Sequence, residues 1–417
     1  MTADPVRLLM LGGGSRALHA YGDWCLRHPQ RAKVVAVAEP DARRRDAFAD
    51  RHGIGDRWRF RSWDEALGAR GNWHAVVVAT PDRMHVDPTI RALEQDHDVL
   101  LEKPIAQTPD DIARLARAAA HGPGAVTVAH GLRYTPVFST IKRIIDEGRL
   151  GDIQAIQHTE NIGYGHFAHS YVRGNWHRSA ASSPMLLAKA CHDLDLLRWF
   201  VGRPCRRLSS FGHLSHFRLE HAPDGSMERC RDGCAVAETC PCNAVRFYTE
   251  ELAGTHGHPV TAVTRDTTHA GRMRALAETD YGRCVYRMDN DVVDHQVVNL
   301  DFDGGVTATL MVSAFTAQNT RTIHVMGSHG ELRGHMERGE IAVTRFRDAP
   351  SWPVPRRPVG ATEVFRLGPI AKSGQADGYA HHAGADDRLM DAFVTRVRER
   401  HATGVAPPAL TSLQESL

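Results

Sequence analysis

The chain has 417 residues, of which 42% are hydrophobic and 24% are charged, and its formal net charge is +2. This length exceeds what one hydrophobic core usually serves, so the composition predicts a globular protein of two domains. The 51 lysines and arginines balance 49 acids without a block of like charge, which argues against nucleic acid or a membrane surface as a partner. No stretch approaches the roughly 20 apolar residues of a membrane span. A small molecule is the expected partner.

The N-terminal segment and the cysteines predict a cytoplasmic protein. The apolar run at 6–11 is too short, and too weakly charged at its start, for a signal peptide. Of the eight cysteines, four are scattered and four lie between positions 230 and 242. That distribution is not typical of the disulfide framework of a secreted protein.

The first 135 residues alternate short apolar strands with amphipathic helices, the pattern of βαβ units around a parallel sheet. The predicted strands are 6–11, 33–38, 75–79, 97–101 and 125–129. Helices are predicted after the first strand through about residue 26, at about 84–95 and at 109–120. The strands are apolar on both faces, as in buried parallel sheets. The sequence therefore predicts a doubly wound N-terminal α/β domain at 1–135.

A glycine-rich loop follows the first strand and opens a helix. Gly12, Gly14 and Ala17 fit the pattern Gly-x-Gly-x-x-Ala, with Ser15 and Arg16 inside the loop. Such a loop lets backbone N–H groups approach a pyrophosphate at the helix N-terminus. The loop predicts a dinucleotide site, and a tight turn without a ligand is the alternative.

An acid at the end of the second strand indicates which dinucleotide is bound. Glu39 lies 25 residues after Gly14 and suits the two ribose hydroxyls of NAD, whereas it would repel a 2′-phosphate. The arginines at 43–45 follow closely and could serve NADP. NAD is therefore the predicted cofactor and NADP the less favoured one, and a solvated strand end is the alternative for Glu39.

Two further turns follow strands at the same predicted edge of the sheet, where ligands of open α/β sheets bind. Thr80-Pro81 ends one strand and is expected beside the nicotinamide, although a plain Pro-Asp turn is equally compatible. Glu102-Lys103-Pro104 ends the next strand, and its proline makes the turn rigid. We predict a chemical role for Lys103, with a solvated Glu-Lys pair as the alternative.

Beyond about residue 135 the pattern changes. It predicts a helix at 136–147, strands at 153–158, 292–302, 305–313 and 322–327, and a last helix at 385–400. Asp303-Gly304-Gly305 indicates an antiparallel hairpin, and four prolines between 350 and 358 predict an extended loop. We assign 136–417 to a second domain with a cysteine-rich insertion at about 225–245.

Residues 184–200 predict one helix of about four turns, with proline at its start and Gly202 after its end. Lys189, His192 and Asp193 stand at i, i+3 and i+4, so they would share one face. Three polar groups on a mostly apolar helix are costly to bury without partners, which favours a site. The alternative is a surface Lys189–Asp193 ion pair with a half-buried His192.

These motifs, in this order and spacing, resemble the Gfo/Idh/MocA family of nicotinamide-dependent oxidoreductases. The resemblance extends through Arg133 and Tyr134 at the domain junction and through His192 with Asp195. It implies a Rossmann domain, a second α/β domain with an open, mostly antiparallel sheet used for oligomerisation, and a carbohydrate or cyclitol substrate bound between them. A homodimer or homotetramer is the expected assembly.

The resemblance also implies which residues form the site. The predicted cofactor-binding residues are Gly12, Gly14, Ser15, Arg16, Glu39, Thr80, Pro81, His85, Glu102, Lys103 and Arg133. In the family, the residues matching Lys103 and His192 belong to the active site. This chain departs from the family pattern at Ala188, where an aspartate is usual, so Lys189 or Asp193 is expected to replace that aspartate.

Oxidation of a secondary alcohol needs a base for the hydroxyl proton. Histidine titrates near neutral pH, whereas lysine needs burial or a neighbouring cation to act as a base. We predict His192 as the general base, with Lys103 sharing the proton, and Lys189 and Asp193 as ligands of substrate hydroxyls. Asp195 is expected to orient the helix or the histidine. Candidate substrate-pocket residues in the preceding loop are Tyr164, His166, His169, Arg173 and Trp176.

The four clustered cysteines, Cys230, Cys234, Cys240 and Cys242, predict a possible structural zinc site. Their Cys-x-Cys pair is tighter than most zinc spacings, so buried free thiols in a loop insertion are the alternative.

Two activities remain open on the sequence alone. The first is an NAD-dependent dehydrogenase of a sugar, glycoside or cyclitol. The second is a redox-neutral glycosidase that retains NAD, oxidises a hydroxyl transiently, eliminates the aglycone and reduces the sugar again. A non-catalytic NAD-binding sensor is disfavoured because Lys103 and His192 are both present.

Overall fold

The computed structural model describes residues 4–122, 124–348, 362–368 and 384–416. Contacts group the chain into two compact units: unit 1 is Met1–Thr135 with His381–Leu417, and unit 2 is Pro136–Ala380. The C-terminal segment differs from the prediction, because it belongs to unit 1 and not to the second domain. The predicted loop at 350–358 lies outside the described residues.

Unit 1 contains a six-stranded sheet in the order β3-β2-β1-β4-β5-β6, in which all neighbouring strands are parallel. Its strands are β1 (Val6–Leu11), β2 (Ala32–Ala38), β3 (Arg59–Phe60), β4 (Ala75–Val78), β5 (Asp98–Leu101) and β6 (Val126–Val128). This order is that of a dinucleotide-binding doubly wound sheet, and it confirms the predicted fold class. The sequence pattern missed β3, since two residues are too few to show a period.

Helices connect these strands, and short polar side chains cap several of them. The helices are α1 (Asp23–Arg27), α2 (Ala42–His52), α3 (Trp63–Gly68), α4 (Val86–Glu94) and α5 (Pro109–His121), with a π-helical segment at Arg16–Gly22 before α1. The side chains of Asp41, Ser62 and Thr108 each accept a hydrogen bond from the backbone N–H three residues on. These caps satisfy N–H groups that a helix leaves unpaired.

Unit 2 is built on an eight-stranded sheet in the order β14-β13-β12-β11-β7-β10-β9-β8. Its strands are β7 (Ile153–Ile162), β8 (Cys205–His213), β9 (His295–Phe302), β10 (Thr307–Ser313), β11 (Asn319–Gly327), β12 (Gly330–His335), β13 (Glu340–Arg345) and β14 (Thr362–Arg366). Among the described strands of this sheet, only β7 and β10 pair in parallel, so the predicted mostly antiparallel sheet is confirmed. The predicted hairpin between β9 and β10 is confirmed as well.

The predicted helix at 184–200 is not continuous. The helices of unit 2 are α6 (Pro136–Asp146), α7 (Tyr164–Phe167), α8 (Met185–Ala188), α9 (Cys191–Val201), α10 (Val260–Val263) and α11 (His269–Glu278). Lys189 and Ala190 lie between α8 and α9, and Ala190 has φ −92° and ψ 5°, outside the helical region. The prediction of one helix is therefore corrected to two short ones with a break at Lys189.

The C-terminal helix α12 (Ala385–Thr403) packs on unit 1, followed by α13 (Leu413–Ser416). Its apolar face contributes to the core that contains β1, and its fully buried side chains are Leu389, Met390, Phe393, Val394 and Val397. Residues spaced three and four apart in this way cover one face of a helix, so burial of that face explains why this segment belongs to unit 1.

Candidate active site

The glycine loop leaves β1 with a conformation that only glycine adopts easily. Gly12 has φ +101°, and a Cβ atom there would collide with the carbonyl oxygen of Ala79. At Gly14, by contrast, a Cβ atom would meet no heavy atom within 4 Å. The missing side chain of Gly14 therefore leaves open space above the loop, as a loop that approaches a pyrophosphate requires.

Glu39, at the end of β2, is held against this loop. Its Oε2 accepts a hydrogen bond from the Gly13 N–H at 2.7 Å, and its Oε1 accepts one from the Asp41 N–H at 3.1 Å. The side chain is buried, and Arg45 donates to the Glu39 carbonyl oxygen at 3.1 Å. The carboxylate is thus fixed beside the loop.

His85 links the two turns predicted beside the nicotinamide. Its Nδ1 lies 2.7 Å from the carbonyl oxygen of Pro104, and its Nε2 lies 2.9 Å from the carbonyl oxygen of Thr80. The ring is only 1% exposed. His85 was predicted among the cofactor-binding residues, and in the structure it holds the backbone of both turns.

Glu102 lies beside Lys103 and is bound to the glycine loop. Arg16 Nε lies 2.5 Å from Glu102 Oε1, and the Tyr21 hydroxyl donates to the same oxygen. Burial opposes the charged form of Glu102, but Arg16 and Tyr21 outweigh it and hold the pKa of this carboxyl below its ordinary value. The backbone N–H of Lys103 donates to Glu102 Oε2 at 3.1 Å.

The guanidinium of Arg16 faces two carboxylates. Besides Glu102, it makes a bidentate pair with Asp386 of α12, with distances of 2.8 and 3.0 Å. Asp386 is fully buried. The structure therefore uses Arg16, a predicted cofactor ligand, to join the glycine loop, the lysine turn and the C-terminal helix.

Arg133, another predicted cofactor residue, is 1% exposed. Its Nη1 donates to the carbonyl oxygen of Leu410 at 2.8 Å and lies 3.4 Å from Glu415 Oε2. These contacts give Arg133 a role in holding the C-terminal segment against unit 1.

In unit 2, Lys189 and Asp193 from the predicted polar helix face belong to a buried cluster of charged residues. Lys189 Nζ lies 3.2 Å from Glu160 Oε1 on β7. Arg321 Nε on β11 lies 2.5 Å from Glu160 Oε2 and 2.8 Å from Asp193 Oδ1. His158 Nε2 lies 2.7 Å from the same Asp193 oxygen. We call these five residues the charge cluster.

The charge cluster changes the interpretation of two predicted residues. The alternative of a Lys189–Asp193 surface ion pair is not what the structure shows, because Lys189 pairs with Glu160 and Asp193 pairs with Arg321. Asp193 has no exposed side-chain surface, so it does not reach a ligand in this conformation. Its role is to hold His158 and Arg321, whereas Lys189 keeps 17% of its side chain exposed.

In the charge cluster, burial is the largest influence on each shifted pKa, and neighbouring charges come next. Burial lowers the pKa of Lys189, and Glu160 only partly offsets this. Burial raises the pKa of Glu160 in spite of Arg321 and Lys189. Burial also opposes ionisation of Asp193, but Arg321 and His158 outweigh it and hold the pKa of this carboxyl below its ordinary value.

His192 and Asp195 both lie on α9 and are buried, with 6% and 7% exposure. Three residues apart, they lie on neighbouring positions of one helix face. His192 follows the helix break by two residues, which places it in the first turn of α9.

The five residues predicted for the substrate pocket have different surroundings in the structure. Tyr164 is exposed and His166 is partly buried, with its Nδ1 3.0 Å from Asn319 Oδ1. His169 is buried against Tyr248, and this burial lowers its pKa to about 3. Trp176 packs near Tyr171, with ring centroids 6.0 Å apart.

Arg173 contacts the cysteine-rich insertion. Its guanidinium donates to the carbonyl oxygens of Arg283 and Cys242 at 2.7 and 2.9 Å. It is 4% exposed, so these contacts explain its burial without a substrate.

The cysteine-rich segment does not have the arrangement of a metal site. In the part of the chain that the structure describes, no group of three or more His, Cys, Asp or Glu side chains is placed to hold a metal ion. The Arg173 guanidinium lies 3.6 Å from Cys230 Sγ, and burial raises the pKa of the Cys242 thiol to about 11. The described structure therefore gives no support to the predicted zinc site at Cys230, Cys234, Cys240 and Cys242.

Sequence reasoning missed several polar residues of these clusters: Tyr21, His158, Glu160, Arg321 and Asp386. One signal was available. His158 and Glu160 alternate on β7, so both face the same side, and buried charges on a strand are rare unless they are paired. The other partners are distant in sequence and carry no local signal.

A parallel sheet in this order, with a glycine loop after β1 and an acid after β2, defines a dinucleotide-binding protein with a second α/β domain. Family comparison agrees. Residues 6–130 match the model of the Gfo/Idh/MocA oxidoreductase family, NAD-binding Rossmann fold, and residues 142–405 match its C-terminal alpha/beta domain. The chain belongs to this family.

Individual relatives match only in part. YteT of Bacillus subtilis (strain 168), whose name assigns it provisionally to the oxidoreductases, is 26% identical over 62% of this chain and 60% of its own length. Inositol 2-dehydrogenase of Rubrobacter xylanophilus is 29% identical over 41% of this chain and 45% of its own. The chain thus spans about 60% or less of the length of these curated relatives.

Solved structures show the same fold over the whole chain. An inositol dehydrogenase homolog from Azotobacter vinelandii, complexed with NADH and myo-inositol, superposes with a TM-score of 0.64. The alignment covers 100% of this chain and 92% of that one at 17% identity, a level that shows the fold alone. Among the helices described here, none is long and apolar enough to cross a membrane.

Proposed function

We propose that this protein is an NAD-dependent dehydrogenase that oxidises a secondary hydroxyl of a sugar, glycoside or cyclitol. The observation that carries the proposal is the edge of the unit 1 sheet, where the glycine loop, Glu39 and the Lys103 turn follow β1, β2 and β5. Because all the strands are parallel, their carboxyl ends share that edge.

The residues present fit NAD. The open space at Gly14 admits a pyrophosphate, and the fixed carboxylate of Glu39 binds ribose hydroxyls and disfavours the 2′-phosphate of NADP. When bound, NAD+ accepts a hydride from the substrate carbon. His85, Arg16 and Glu102 position the surrounding turns and need not touch the cofactor.

In the proposed chemistry, Lys103 hydrogen-bonds the reacting oxygen and His192 accepts its proton. Lysine supplies a donor and a positive charge where an alkoxide develops, and histidine is a base suited to neutral pH. Lys189 is proposed as a ligand of substrate hydroxyls. Asp193, which was predicted to share that role, is reassigned to positioning because it is fully buried.

The names of the relatives support the dehydrogenase over the redox-neutral glycosidase. An inositol 2-dehydrogenase and a structure with NADH and myo-inositol are among the matches. We also propose a homo-oligomer, supported by an exposed apolar row on the unit 2 sheet. In that row Phe211 and Met311 both pair with Val297 in register, and they are 66% and 51% exposed.

One experiment tests the function. The protein is incubated with NAD+ and a panel of cyclitols, sugars and aryl glycosides while NADH absorbance and aglycone release are followed together. We expect net NADH without aglycone release. Aglycone release without net NADH would refute the dehydrogenase and restore the glycosidase.

A further inference from the structure

The break between α8 and α9 places Lys189 at the rim of the charge cluster. The Lys189 side chain is 17% exposed, whereas that of its partner Glu160 is 1% exposed. The ammonium therefore meets a buried carboxylate at 3.2 Å, while part of the Lys189 side chain reaches the surface.

The other charges around Lys189 are already paired. Arg321 on β11 lies between two carboxylates, 2.5 Å from Glu160 and 2.8 Å from Asp193, and His158 on β7 contacts the Asp193 carboxylate. Glu337 accepts a hydrogen bond from the backbone N–H of Arg321 at 2.8 Å. Glu160 is thus the carboxylate among the described residues whose oxygen lies within ion-pair distance of the Lys189 ammonium.

Lys189 also has a neighbour in the predicted substrate loop, His166. Burial, and after it the charge of Lys189, lowers the pKa of His166 on α7, whose Nδ1 lies 3.0 Å from Asn319 Oδ1. An ammonium with three N–H donors beside neutral imidazole and amide groups is suited to a neutral polyhydroxyl ligand.

We propose that Glu160 is the positioning residue of Lys189, which keeps the ammonium charged and directed toward a substrate hydroxyl. This inference rests on the proposed function. Without the carboxylate, burial and the positive charge of Arg321 both favour the neutral amine, and Lys189 loses its charge at a lower pH. A neutral amine is a weaker donor to a hydroxyl than an ammonium.

The first test needs no turnover. Wild-type protein and Glu160→Gln are labelled with trace acetic anhydride across a pH series, and acetylation of each lysine is measured by mass spectrometry. Only the neutral amine reacts, so at neutral pH we expect about tenfold more labelling of Lys189 in Glu160→Gln, the equivalent of one pKa unit. Lys142, paired with exposed Asp146 on α6, is the internal reference and remains unchanged.

Equal labelling of Lys189 in the two proteins overturns the proposal, whether or not any substrate is oxidised. If Glu160→Gln does not fold, Glu160→Asp keeps the charge but withdraws it by one methylene, and labelling between wild type and Gln is expected. Failure of the proposed function would appear differently, as absence of NADH formation in wild type.

A second test uses the active enzyme with NAD+ and myo-inositol, or the best substrate of the panel. Glu160→Gln is expected to raise KM with kcat little changed. In both proteins KM is expected to increase as the pH rises, and in Glu160→Gln this increase begins at a lower pH than in wild type. Glu331→Gln on β12, which removes a partly exposed carboxylate from the same sheet, is the matched control. A pH-independent loss of kcat with unchanged KM would show a merely structural role and overturn the proposal.

Discussion

Arg16 and Glu102 join the glycine loop to the turn that carries Lys103, with Arg16 Nε 2.5 Å from Glu102 Oε1. The same guanidinium binds Asp386, which lies on the C-terminal helix. A segment near the end of the chain therefore helps to fix the loop near its beginning. Because Lys103 is the next residue after Glu102, its backbone position depends on this chain of contacts.

Removing the Asp386 charge is expected to weaken unit 1. Asp386→Asn leaves Arg16 with one carboxylate partner fewer in a buried setting, at a cost of about 3 kcal/mol in the free energy of unfolding. NAD affinity falls as well, because the loop loses its support. Asp387→Asn is the matched control: its pair with Arg27 is partly exposed and contributes about 1 kcal/mol or less. Thermal unfolding and NAD titration compare the two variants, and equal effects would contradict the assigned role of Asp386.

Lys103→Ala is expected to abolish turnover while NAD binding stays largely intact. In the proposed mechanism the Lys103 side chain supplies the charge at the reacting oxygen, whereas the glycine loop and Glu39, which contact each other, are proposed to hold the cofactor. Turnover is measured with the best substrate of the panel, and NAD binding by fluorescence titration. Lys142→Ala, a surface lysine of α6, is the control. Turnover that survives in Lys103→Ala would show that the lysine is not part of the chemistry.

Much of the fold could be predicted because its signals are local. Apolar runs such as 75–78 and the glycines after β1 specify strands and turns within a few residues, and these predictions are confirmed. The two-residue β3 and the exposed edge strand β8 carry weak periodic signals and were missed. The helix α12 was predicted, but its packing on unit 1 was not, because an apolar helix face does not show which other element it packs against.

In the candidate site, even less could be predicted from local sequence. Lys189 and its neighbours have side chains that a continuous helix accepts, so nothing local predicts the break at 189–190. The partners of the cluster come from elsewhere: Arg321 is 128 residues from Asp193 and Asp386 is 370 residues from Arg16. Sequence patterns identify which residues are polar in apolar surroundings, but the pairing depends on tertiary structure.

The two glycines of the loop are expected to respond differently to alanine. Gly12→Ala meets the Ala79 carbonyl oxygen at a positive φ, so we expect a loss of unfolding free energy of about 3 kcal/mol, together with loss of NAD binding. Gly14→Ala meets no protein atom, so its stability stays near that of wild type while NAD affinity falls. Chemical unfolding and NAD titration separate the two effects. Unchanged NAD affinity in Gly14→Ala would mean that the open space is not the pyrophosphate site.

The exposed apolar row on unit 2 predicts a change of assembly on mutation. Phe211→Asp places a charge beside Val297 and Met311, where a second copy is proposed to pack. We expect the molar mass in light scattering to fall toward that of one chain, with the circular dichroism spectrum unchanged. Leu410→Asp, an exposed position in unit 1, is the control. A wild-type protein that is monomeric would contradict the proposed oligomer.

Acid titration of unit 2 is expected to show opposite trends for the two carboxylates of the charge cluster. The pKa of Asp193 is lowered by Arg321 and His158 in spite of burial, so its contribution to stability is present above its unfolded pKa, about 4, and is lost as the pH falls. The pKa of Glu160 is raised by burial, so its contribution to stability is fully present below an unfolded pKa of about 4 and is lost as the pH rises.

The two variants should therefore differ in how their Tm depends on pH. Relative to wild type, Asp193→Asn should have its largest Tm deficit at neutral pH, whereas the Tm of Glu160→Gln should increase relative to that of wild type as the pH rises from about 4. Calorimetry between about pH 3 and pH 7 measures both differences, with Asp301→Asn as an exposed control. Parallel pH trends in the two variants would show that burial and pairing do not govern these carboxyls as described.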